Sequence, residues 1–387
     1  MRPTLKFLTP VAAAALVLTA CGGTTGGSDD TASSSSASGG GGCEGLKIGF
    51  FGALTGDAAN LGINIRNGVE LAVEEHNEAN ADCQVELQDY DSAGSPDQAP
   101  GLATQAIGDE SVLGLVGPAF SGESKVADPL FAEAGLVHIT PSATNPALSE
   151  SGWKTFFRVL GNDNTQGPAA ATYIQDVLQA QKVFVVDDAS EYGKGLADIV
   201  RESLGAAVVD NDTVQQKQTD FSATVSKIRA SGADAVFFGG YYAEAGLLLK
   251  QMRDAGLTTT FVSDDGAKDE GLITAAGAAA EGAILTCPCL PPEEAEGTFV
   301  EDYTAKFSVA PATYSAEGYD AANILLDGIA AGNTDRESLL EYVGSYDDAG
   351  VTKQLTFDDK GEPSEISVWA YKVEGGKIVT DQEIPTS

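Results

Sequence analysis

The chain has 387 residues, of which 43 % are hydrophobic and 20 % are charged. This length and balance fit a globular α/β protein with two domains of ordinary size. Asp and Glu number 57 against 22 Lys and Arg, so the formal net charge is -35. Such a charge disfavours nucleic acid and anionic membrane surfaces as partners. The acidic residues are spread along the chain, and we interpret them as a solvated surface.

The first 21 residues have the pattern of an export signal. Arg2 and Lys6 precede an apolar run from Phe7 to Leu18, as in a targeting segment that does not belong to the fold. The run ends in Leu18-Thr19-Ala20-Cys21, which resembles a bacterial lipobox. Acylation of the Cys21 thiol would tether the following domain to a membrane. The alternative is an ordinary signal peptide in which Cys21 occurs by chance.

Residues 22–42 consist almost entirely of Gly, Ser, Thr, Ala and Asp. This composition cannot bury a core and predicts a flexible tether. No later run of about 18 apolar residues follows in the sequence, so we expect no membrane-spanning segment beyond the N-terminus.

Strand and helix patterns alternate from residue 46 to residue 159. Apolar runs predict strands, and apolar residues at helical spacing predict the helices between them. The predicted strands are Leu46–Phe51, Val85–Asp89, Val112–Val116, Leu136–Ile139 and Phe156–Val159, and the helices are Arg66–Glu78, Gln98–Ile107 and Ser124–Ala134.

The alternation restarts after residue 163. The predicted helices are Pro168–Leu178, Gly195–Leu204, Phe221–Arg229, Ala245–Ala255, Phe299–Phe307 and Tyr319–Ala330, and the strands are Lys182–Val186, Ala207–Val209, Ala235–Phe238, Thr260–Val262 and Gly282–Thr286. The tail, with strands at Gln354–Phe357, Ile366–Val373 and Lys377–Val379, is expected to add antiparallel strands.

Two series of strand–helix units predict two Rossmann-like lobes, each a parallel sheet with helices on both faces. We expect residues 43–161 and 290–345 in lobe 1, and residues 162–289 and 346–387 in lobe 2. Three crossings near Gly161, Cys287–Pro291 and Gly344–Asp348 would then form the hinge. Ligands of open α/β sheets bind outside the carboxyl ends of the strands, which could face each other across a cleft.

Cys43 and Cys83 each precede a predicted strand. If those strands are neighbours in a parallel sheet, both cysteines lie at the same edge and can form a disulfide, which export permits. Cys287 and Cys289 are separated by one residue. They are either a local disulfide or two free thiols, and the sequence leaves both open.

No pattern of catalytic residues stands out in the sequence. There is no phosphate-binding loop, and the glycines at 49, 52 and 56 lack the dinucleotide spacing. His76 lies on an apolar helix face and His138 inside a strand, so we interpret both as core residues. With two His in the chain, a metal site lacks ligands. We therefore expect neither an enzyme, nor a cofactor, nor a metal site.

Several segments resemble the branched-chain amino acid (Leu/Ile/Val-type) binding proteins of ABC transporters, which have the type I periplasmic-binding fold. The similarity runs from about residue 46 to the C-terminus. The matching segments are Gly52-Ala53-Leu54-Thr55-Gly56, Pro141-Ser142-Ala143-Thr144-Asn145-Pro146, Gln166-Gly167-Pro168, Tyr192-Gly193-Lys194-Gly195 and Gly239-Gly240-Tyr241-Tyr242.

The resemblance implies a site for a zwitterionic amino acid between the lobes. The carboxylate of the ligand would bind Ser121, Ser142, Ala143 and Thr144. Its ammonium group would bind Asp265 and Tyr241. Its side chain would occupy a pocket formed by Leu61, Ala119, Phe120 and Tyr192. Family members often have Glu at the position of Asp265, and Asp is shorter by roughly 1.5 Å. Its neighbour Asp264 could share the role, or the pair could form a turn. No Arg or Lys occurs among these positions, which argues against an acidic ligand.

The resemblance also implies the partners: a small amino acid, and the permease and ATPase subunits of an ABC importer. We expect a monomer held outside the cytoplasm by its N-terminal lipid. Two alternatives remain open: a receptor for another small ligand, such as an amide, urea-like or aromatic compound, and a sensor that passes its closed state to a signalling partner.

Overall fold

Strands and helices alternate through the first third of the chain. The computed structural model describes residues 43–386. The first elements are β1 (Leu46–Gly52), α1 (Ala59–Ala79), β2 (Val85–Asp91), α2 (Ala99–Gly108), β3 (Val112–Val116), α3 (Ser121–Ala134), β4 (Val137–Thr140), α4 (Ala147–Glu150) and β5 (Phe156–Arg158). The predicted alternation is confirmed here, and α1 begins about two turns earlier than its apolar spacing indicates.

A second series of the same kind follows. It comprises α5 (Asp163–Thr172), β6 (Val183–Asp187), α6 (Glu191–Leu204), β7 (Val208–Thr213), α7 (Ser222–Ser231), β8 (Ala235–Gly239), α8 (Tyr242–Asp254), β9 (Thr260–Ser263), α9 (Glu270–Ala276) and β10 (Ile284–Cys287). The remaining elements are α10 (Phe299–Phe307), α11 (Ser315–Ala330), α12 (Arg336–Gly344), β11 (Asp347–Ala349), β12 (Gln354–Thr356), β13 (Val368–Glu374) and β14 (Lys377–Ile384).

The strands form two main sheets with the same internal order. The first is parallel, in the order β2-β1-β3-β4-β5, and the second contains the parallel order β7-β6-β8-β9-β10. Every residue of β3, β6 and β8 is buried, as expected for parallel strands that are covered by helices on both faces. The strand order reverses between β1 and β3 and between β6 and β8, and such points form ligand crevices.

The C-terminal strands extend the second sheet. β13 pairs antiparallel with β10, and β14 pairs antiparallel with β13, so the expected antiparallel addition is found there. β12 instead pairs with β11 in a separate two-stranded sheet. We call the first sheet and its helices lobe 1, and the second sheet and its helices lobe 2.

Both cysteine pairs within the described residues are disulfides. Cys43 is joined to Cys83 with a Cα–Cα distance of 4.6 Å. The predicted geometry explains this pair, because Leu46 of β1 lies beside Val85 of β2. Cys287 is joined to Cys289. Of the two possibilities that the sequence left open, a local disulfide or two free thiols, the structure has the disulfide.

The chain crosses between the lobes at three places that lie side by side. A Cβ placed on Gly161 would lie 2.5 Å from Cγ2 of Ile366 and 3.3 Å from Cβ of Pro288. Glycine at 161 therefore lets the three segments pass in close contact.

The segment after α12 packs on lobe 1. Lys353 donates to the Val159 carbonyl at 2.9 Å, and the Phe357 ring lies 5.0 Å from that of Phe157. We therefore propose that the third crossing lies at residues 364–367 rather than at Gly344–Asp348, with residues 346–363 in lobe 1.

No helix between residues 43 and 386 is long and apolar enough to cross a membrane. The predicted signal segment, the Cys21 lipobox and the tether at residues 22–42 lie outside the described residues.

Candidate ligand-binding site

A cavity with an empty volume of about 270 Å³ lies between the lobes at the carboxyl ends of their strands. Like other small-molecule sites, the cavity is concave and mostly apolar, with a few polar groups in its wall. Its wall consists of Leu61, Ile65, Ala119, Phe120, Ser121, Ser142, Tyr192, Tyr241, Asp265, Gly266 and Tyr314. Eight of these eleven are residues that the sequence analysis assigns to a ligand.

The Asp265 carboxylate forms the acidic end of the cavity. It follows β9 and is 1 % exposed. The Tyr192 hydroxyl donates to its Oδ1 at 2.6 Å, and the Tyr314 hydroxyl donates to its Oδ2. Burial raises the pKa of Asp265, and the two tyrosine hydroxyls oppose that shift. A buried carboxylate held this way gains from a cationic partner, which would offset its desolvation.

Asp264 has a different role from its neighbour. Its Oδ2 accepts from the Gly240 amide at 2.9 Å, and its Oδ1 accepts from the Ala267 amide at 3.2 Å. It is not part of the cavity wall. Its carboxylate therefore fixes the turn that presents Asp265, which supports the turn reading of Asp264.

Two serine hydroxyls line the lobe 1 side of the cavity. Ser121 is the first residue of the fourteen-residue helix α3, and its Oγ accepts from the Asn145 amide at 3.3 Å. The Ser142 hydroxyl donates to the Ala119 carbonyl at 2.7 Å. The unpaired amides and dipole at a helix N-terminus favour a negative group. This side of the cavity therefore suits an anion such as a carboxylate.

Ala143 and Thr144 lie behind that surface. Neither belongs to the cavity wall, and both are buried. The Ala143 amide donates to Oγ1 of Thr140 at 2.9 Å, and the Thr144 carbonyl accepts from the Asp163 amide at 2.9 Å. In this closed arrangement the structure brings Ser121 and Ser142, but not Ala143 and Thr144, to the cavity.

A second buried carboxyl group, which sequence reasoning missed, lies close to Asp265. Asp163 is the first residue of α5 and is fully buried. Burial, and next the charge of Asp265, raise the pKa of Asp163 to about 8, while Thr144 and Arg158 oppose the shift. In the sequence Asp163 resembles an ordinary first-turn helix residue, and Asn162 does cap that helix.

Tyr314 is another cavity residue that the sequence analysis missed. It precedes α11 and adopts φ +68°, a left-handed conformation that is rare for a bulky residue and costs roughly 1–3 kcal/mol. This conformation directs its hydroxyl from lobe 1 to Asp265 of lobe 2. Such backbone strain has no signal in the amino-acid pattern.

An apolar wall closes the rest of the cavity. It is formed by Leu61 and Ile65 of α1 with Ala119 and Phe120. The Phe120 ring contacts Tyr241 edge-on at 5.4 Å between centroids. An aliphatic group would find a matching surface here.

The lobes are also in contact around the cavity. Lys125 pairs with Glu191 at 2.7 Å, and the Asn145 side chain donates to the Glu191 carbonyl at 3.0 Å. On another side, Asn60 donates to Asp269 at 2.7 Å. The arrangement is a closed one in which both lobes contribute to one site.

The two histidines have structural contacts. His138 lies 3.4 Å from the buried Asp128, and His76 is 3.0 Å from the Cys83 carbonyl. Among residues 43–386 no group of three His, Cys, Asp or Glu side chains is arranged to hold a metal ion.

Two lobes of equal strand order, with a small cavity between their carboxyl ends, define a two-lobed solute-binding protein of the type I periplasmic-binding fold. The chain belongs to the periplasmic binding protein family, whose model matches residues 45–377. The resemblance to branched-chain amino acid binding proteins is thereby confirmed at the level of the family.

Curated relatives support this membership. An "amino acid binding protein" of Pseudomonas aeruginosa is 35 % identical over 324 residues, which cover 81 % of this chain and 86 % of the relative. The "leucine-, isoleucine-, valine-, threonine-, and alanine-binding protein" of the same organism is 31 % identical, with 84 % and 89 % covered.

Solved structures show the same fold. The branched-chain amino acid transporter substrate-binding protein LivJ of Streptococcus pneumoniae, in complex with isoleucine, has a TM-score of 0.82 at 28 % identity and covers 88 % of this chain and 99 % of its own. The leucine-binding protein LivK of Thermotoga maritima has a TM-score of 0.81 at 30 % identity. The match covers 88 % of this chain and 98 % of LivK.

Proposed function

We propose that this protein is the extracytoplasmic solute-binding lipoprotein of an ABC importer, and that it binds an aliphatic, branched-chain amino acid between its lobes. One observation carries the proposal: a small apolar cavity has the Asp265 carboxylate on one side and the Ser121 and Ser142 hydroxyls on the other. These groups match the ammonium, the carboxylate and the side chain of a zwitterionic amino acid. The relatives named above support the same ligand class.

The ligand docks first on lobe 1, whose serine hydroxyls and α3 N-terminus hold its carboxylate. Lobe 2 then closes and brings Asp265 to the ammonium and Tyr241 over the ligand. Closure excludes water, and charge-assisted hydrogen bonds strengthen in the drier site. The Ala143 amide donates to Thr140 within lobe 1, so the carboxylate site in this proposal rests on Ser121, Ser142 and the α3 N-terminus rather than on Ala143 and Thr144.

The closed form then delivers the amino acid to the permease. A ligand that touches both lobes stabilises the closed arrangement, so a permease that recognises closure recognises the loaded protein. A lipid on Cys21 and the tether at residues 22–42 keep this monomeric domain near its membrane partner.

Ligand identity is tested on the full mature chain. Mass spectrometry of the copurified ligand, followed by isothermal titration with leucine, isoleucine, valine and alanine after unfolding and refolding, is expected to give micromolar or tighter binding, about 8 kcal/mol or more. If none of these amino acids produced binding heat, the proposed ligand class would be refuted. An amide, urea-like or aromatic compound in the mass spectrum would assign a different one.

The lipid anchor needs its own test. The chain expressed with its signal is expected to partition into the detergent phase of Triton X-114, whereas Cys21→Ala is expected to remain in the aqueous phase. Aqueous partition of both forms would refute acylation without affecting the ligand assignment.

A further inference from the structure

The ligand cavity shares one wall with a larger groove at the surface. This rim groove has an empty volume of about 720 Å³ and is lined by residues of both lobes, among them Gly94, Pro96, Lys125, Val126, Glu191 and Gln216. Phe120 and Tyr241 line the rim groove and also the cavity. Two aromatic rings thus stand between the cavity and a space large enough for a bigger side chain.

The two rings come from opposite lobes and meet edge-on. Their centroids are 5.4 Å apart, and their planes make an angle of 71°, a favoured geometry for aromatic pairs. Tyr241 also packs against Tyr192 at 5.4 Å. A Cβ on Gly266 would lie 3.2 Å from Cδ1 of Tyr241. The Tyr241 ring is therefore held from two further sides, so the pair forms a fixed partition.

We propose that Phe120 determines the ligand range by size: with Tyr241 it closes the cavity toward the rim groove and excludes amino acids with aromatic side chains. The inference rests on the proposed function and specifies its substrate class. Phe120 sits on lobe 1, where the ligand docks first, so its ring limits the space available before closure. Closure then adds the Tyr241 ring to complete the partition.

Truncation of Phe120 removes apolar contacts but no side-chain hydrogen bond. Phe120 lies in an extended conformation, φ −123° and ψ 138°, directly before α3, and makes no side-chain hydrogen bond to cap that helix. The residue is 7 % exposed, and its ring contacts Tyr241. Replacing it with alanine would join the cavity to the rim groove while Ser121 and Asp265 stay in place.

The experiment measures leucine, phenylalanine and tryptophan binding to wild type and Phe120→Ala by titration calorimetry. Wild type is expected to bind leucine and to reject both aromatic amino acids. Phe120→Ala is expected to lose about tenfold in leucine affinity, equivalent to about 1.4 kcal/mol, and to gain tenfold or more for phenylalanine. Phe120→Leu, a milder truncation, is expected to show a smaller gain and serves if the alanine variant does not fold.

Val126→Ala is the matched control, because Val126 lines the rim groove but not the cavity. It is expected to keep the wild-type ligand range. Folded Phe120 variants that still reject aromatic amino acids would overturn the partition and leave the proposed function standing. Wild type that binds phenylalanine as well as leucine would overturn it too. Wild type that binds no aliphatic amino acid would instead refute the proposed function, and the size limit with it.

Discussion

The Tyr314 hydroxyl of lobe 1 donates a hydrogen bond to the Asp265 carboxylate of lobe 2. The carboxylate that we assign to the ligand ammonium is therefore completed by the opposite lobe. In the open form Asp265 would keep Tyr192 but lose Tyr314. Closure and the preparation of the ammonium site are thus one event, and the strained backbone of Tyr314 serves that coupling.

Tyr314→Phe is expected to weaken amino acid binding about tenfold, since a hydrogen bond to a charged group contributes roughly 1.5–3 kcal/mol and part of this is recovered by water. Titration calorimetry with leucine measures the change. Tyr303→Phe is the matched control: Tyr303 is equally buried, and its hydroxyl contacts Asn67 and Ser315 away from the cavity. Equal affinities for wild type and Tyr314→Phe would contradict the coupling.

Asp265→Asn keeps the shape of the side chain and removes its charge. We expect the affinity for leucine to fall by roughly 10- to 100-fold, because charge-assisted hydrogen bonds to the ammonium are lost. The unliganded variant is expected to be no less thermostable than wild type, since burial disfavours the ionised carboxyl and raises its pKa. Calorimetric titration measures the loss of affinity, and thermal unfolding of the unliganded protein checks that stability is retained.

Asp264→Asn is expected to show the opposite pattern. Each of its two carboxylate oxygens accepts a backbone amide, from Gly240 and from Ala267, and Asn would replace one of these acceptors with a donor. Although burial raises the pKa of Asp264 too, the variant should therefore lose thermal stability more than intrinsic affinity. If Asp264→Asn abolished binding while Asp265→Asn left it intact, the assignment of the ammonium site would be reversed.

Patterns that reflect burial could be read from the sequence. The Val-rich runs of β6 and β8 are fully buried, and the apolar spacing of α1 corresponds to its buried face at Val69, Ala72 and Val73. Because both signals arise from the same burial that forms parallel sheets with helices, they predict the two-lobed architecture. β13 was predictable for the same reason, since four of its seven residues are buried.

Features that depend on distant contacts could not be predicted. Tyr314 acts through a left-handed backbone conformation, and Asp163 acts through burial beside a residue about one hundred positions away in sequence. The short strand β11 is exposed at all three positions and has no apolar pattern. The site residues that did appear in the sequence analysis came from family resemblance, since composition alone assigns no role to Ser142 or Asp265.

The two disulfides differ in the length of chain that they close. Cys43 and Cys83 are 40 positions apart, and Cys287 and Cys289 are 2 apart. In the chain-entropy model, a loop of the first length contributes about 4 kcal/mol to stability. Replacing both Cys43 and Cys83 by Ala is expected to lower the free energy of unfolding by roughly 2–4 kcal/mol in guanidinium titrations.

The Cys287→Ala/Cys289→Ala double variant is the matched control, because its disulfide constrains little of the unfolded chain. We expect a smaller loss of stability, and we attribute this loss mainly to altered packing, because both cysteines are fully buried. A larger loss for this pair than for Cys43 and Cys83 would show that the crossing segment depends on the local disulfide for more than chain entropy.

Asp163 is expected to make the unliganded protein less stable as pH rises. Its folded-state pKa is about 8 against an ordinary value of 3.8, so between pH 4 and 8 the folded state holds a proton that the unfolded state has released. Stability falls with pH wherever the folded state binds more protons. Asp265 faces Asp163 with like charge, as does Glu362, while Arg158 opposes them.

Asp163→Asn removes this titration. We expect its melting temperature relative to wild type to increase from pH 5 to pH 8, by about 2–4 °C for each kcal/mol, in ligand-free protein followed by circular dichroism. Asp335→Asn is the control, because backbone and side-chain bonds from Ser338 lower the pKa of Asp335. The Asp335 carboxylate is ionised in the folded and unfolded states across this range. The difference in melting temperature between Asp335→Asn and wild type should therefore not change with pH. If the difference in melting temperature between Asp163→Asn and wild type also stayed constant from pH 5 to pH 8, Asp163 would already be ionised in the folded state at pH 5. The buried site would then carry two negative charges before the ammonium arrives.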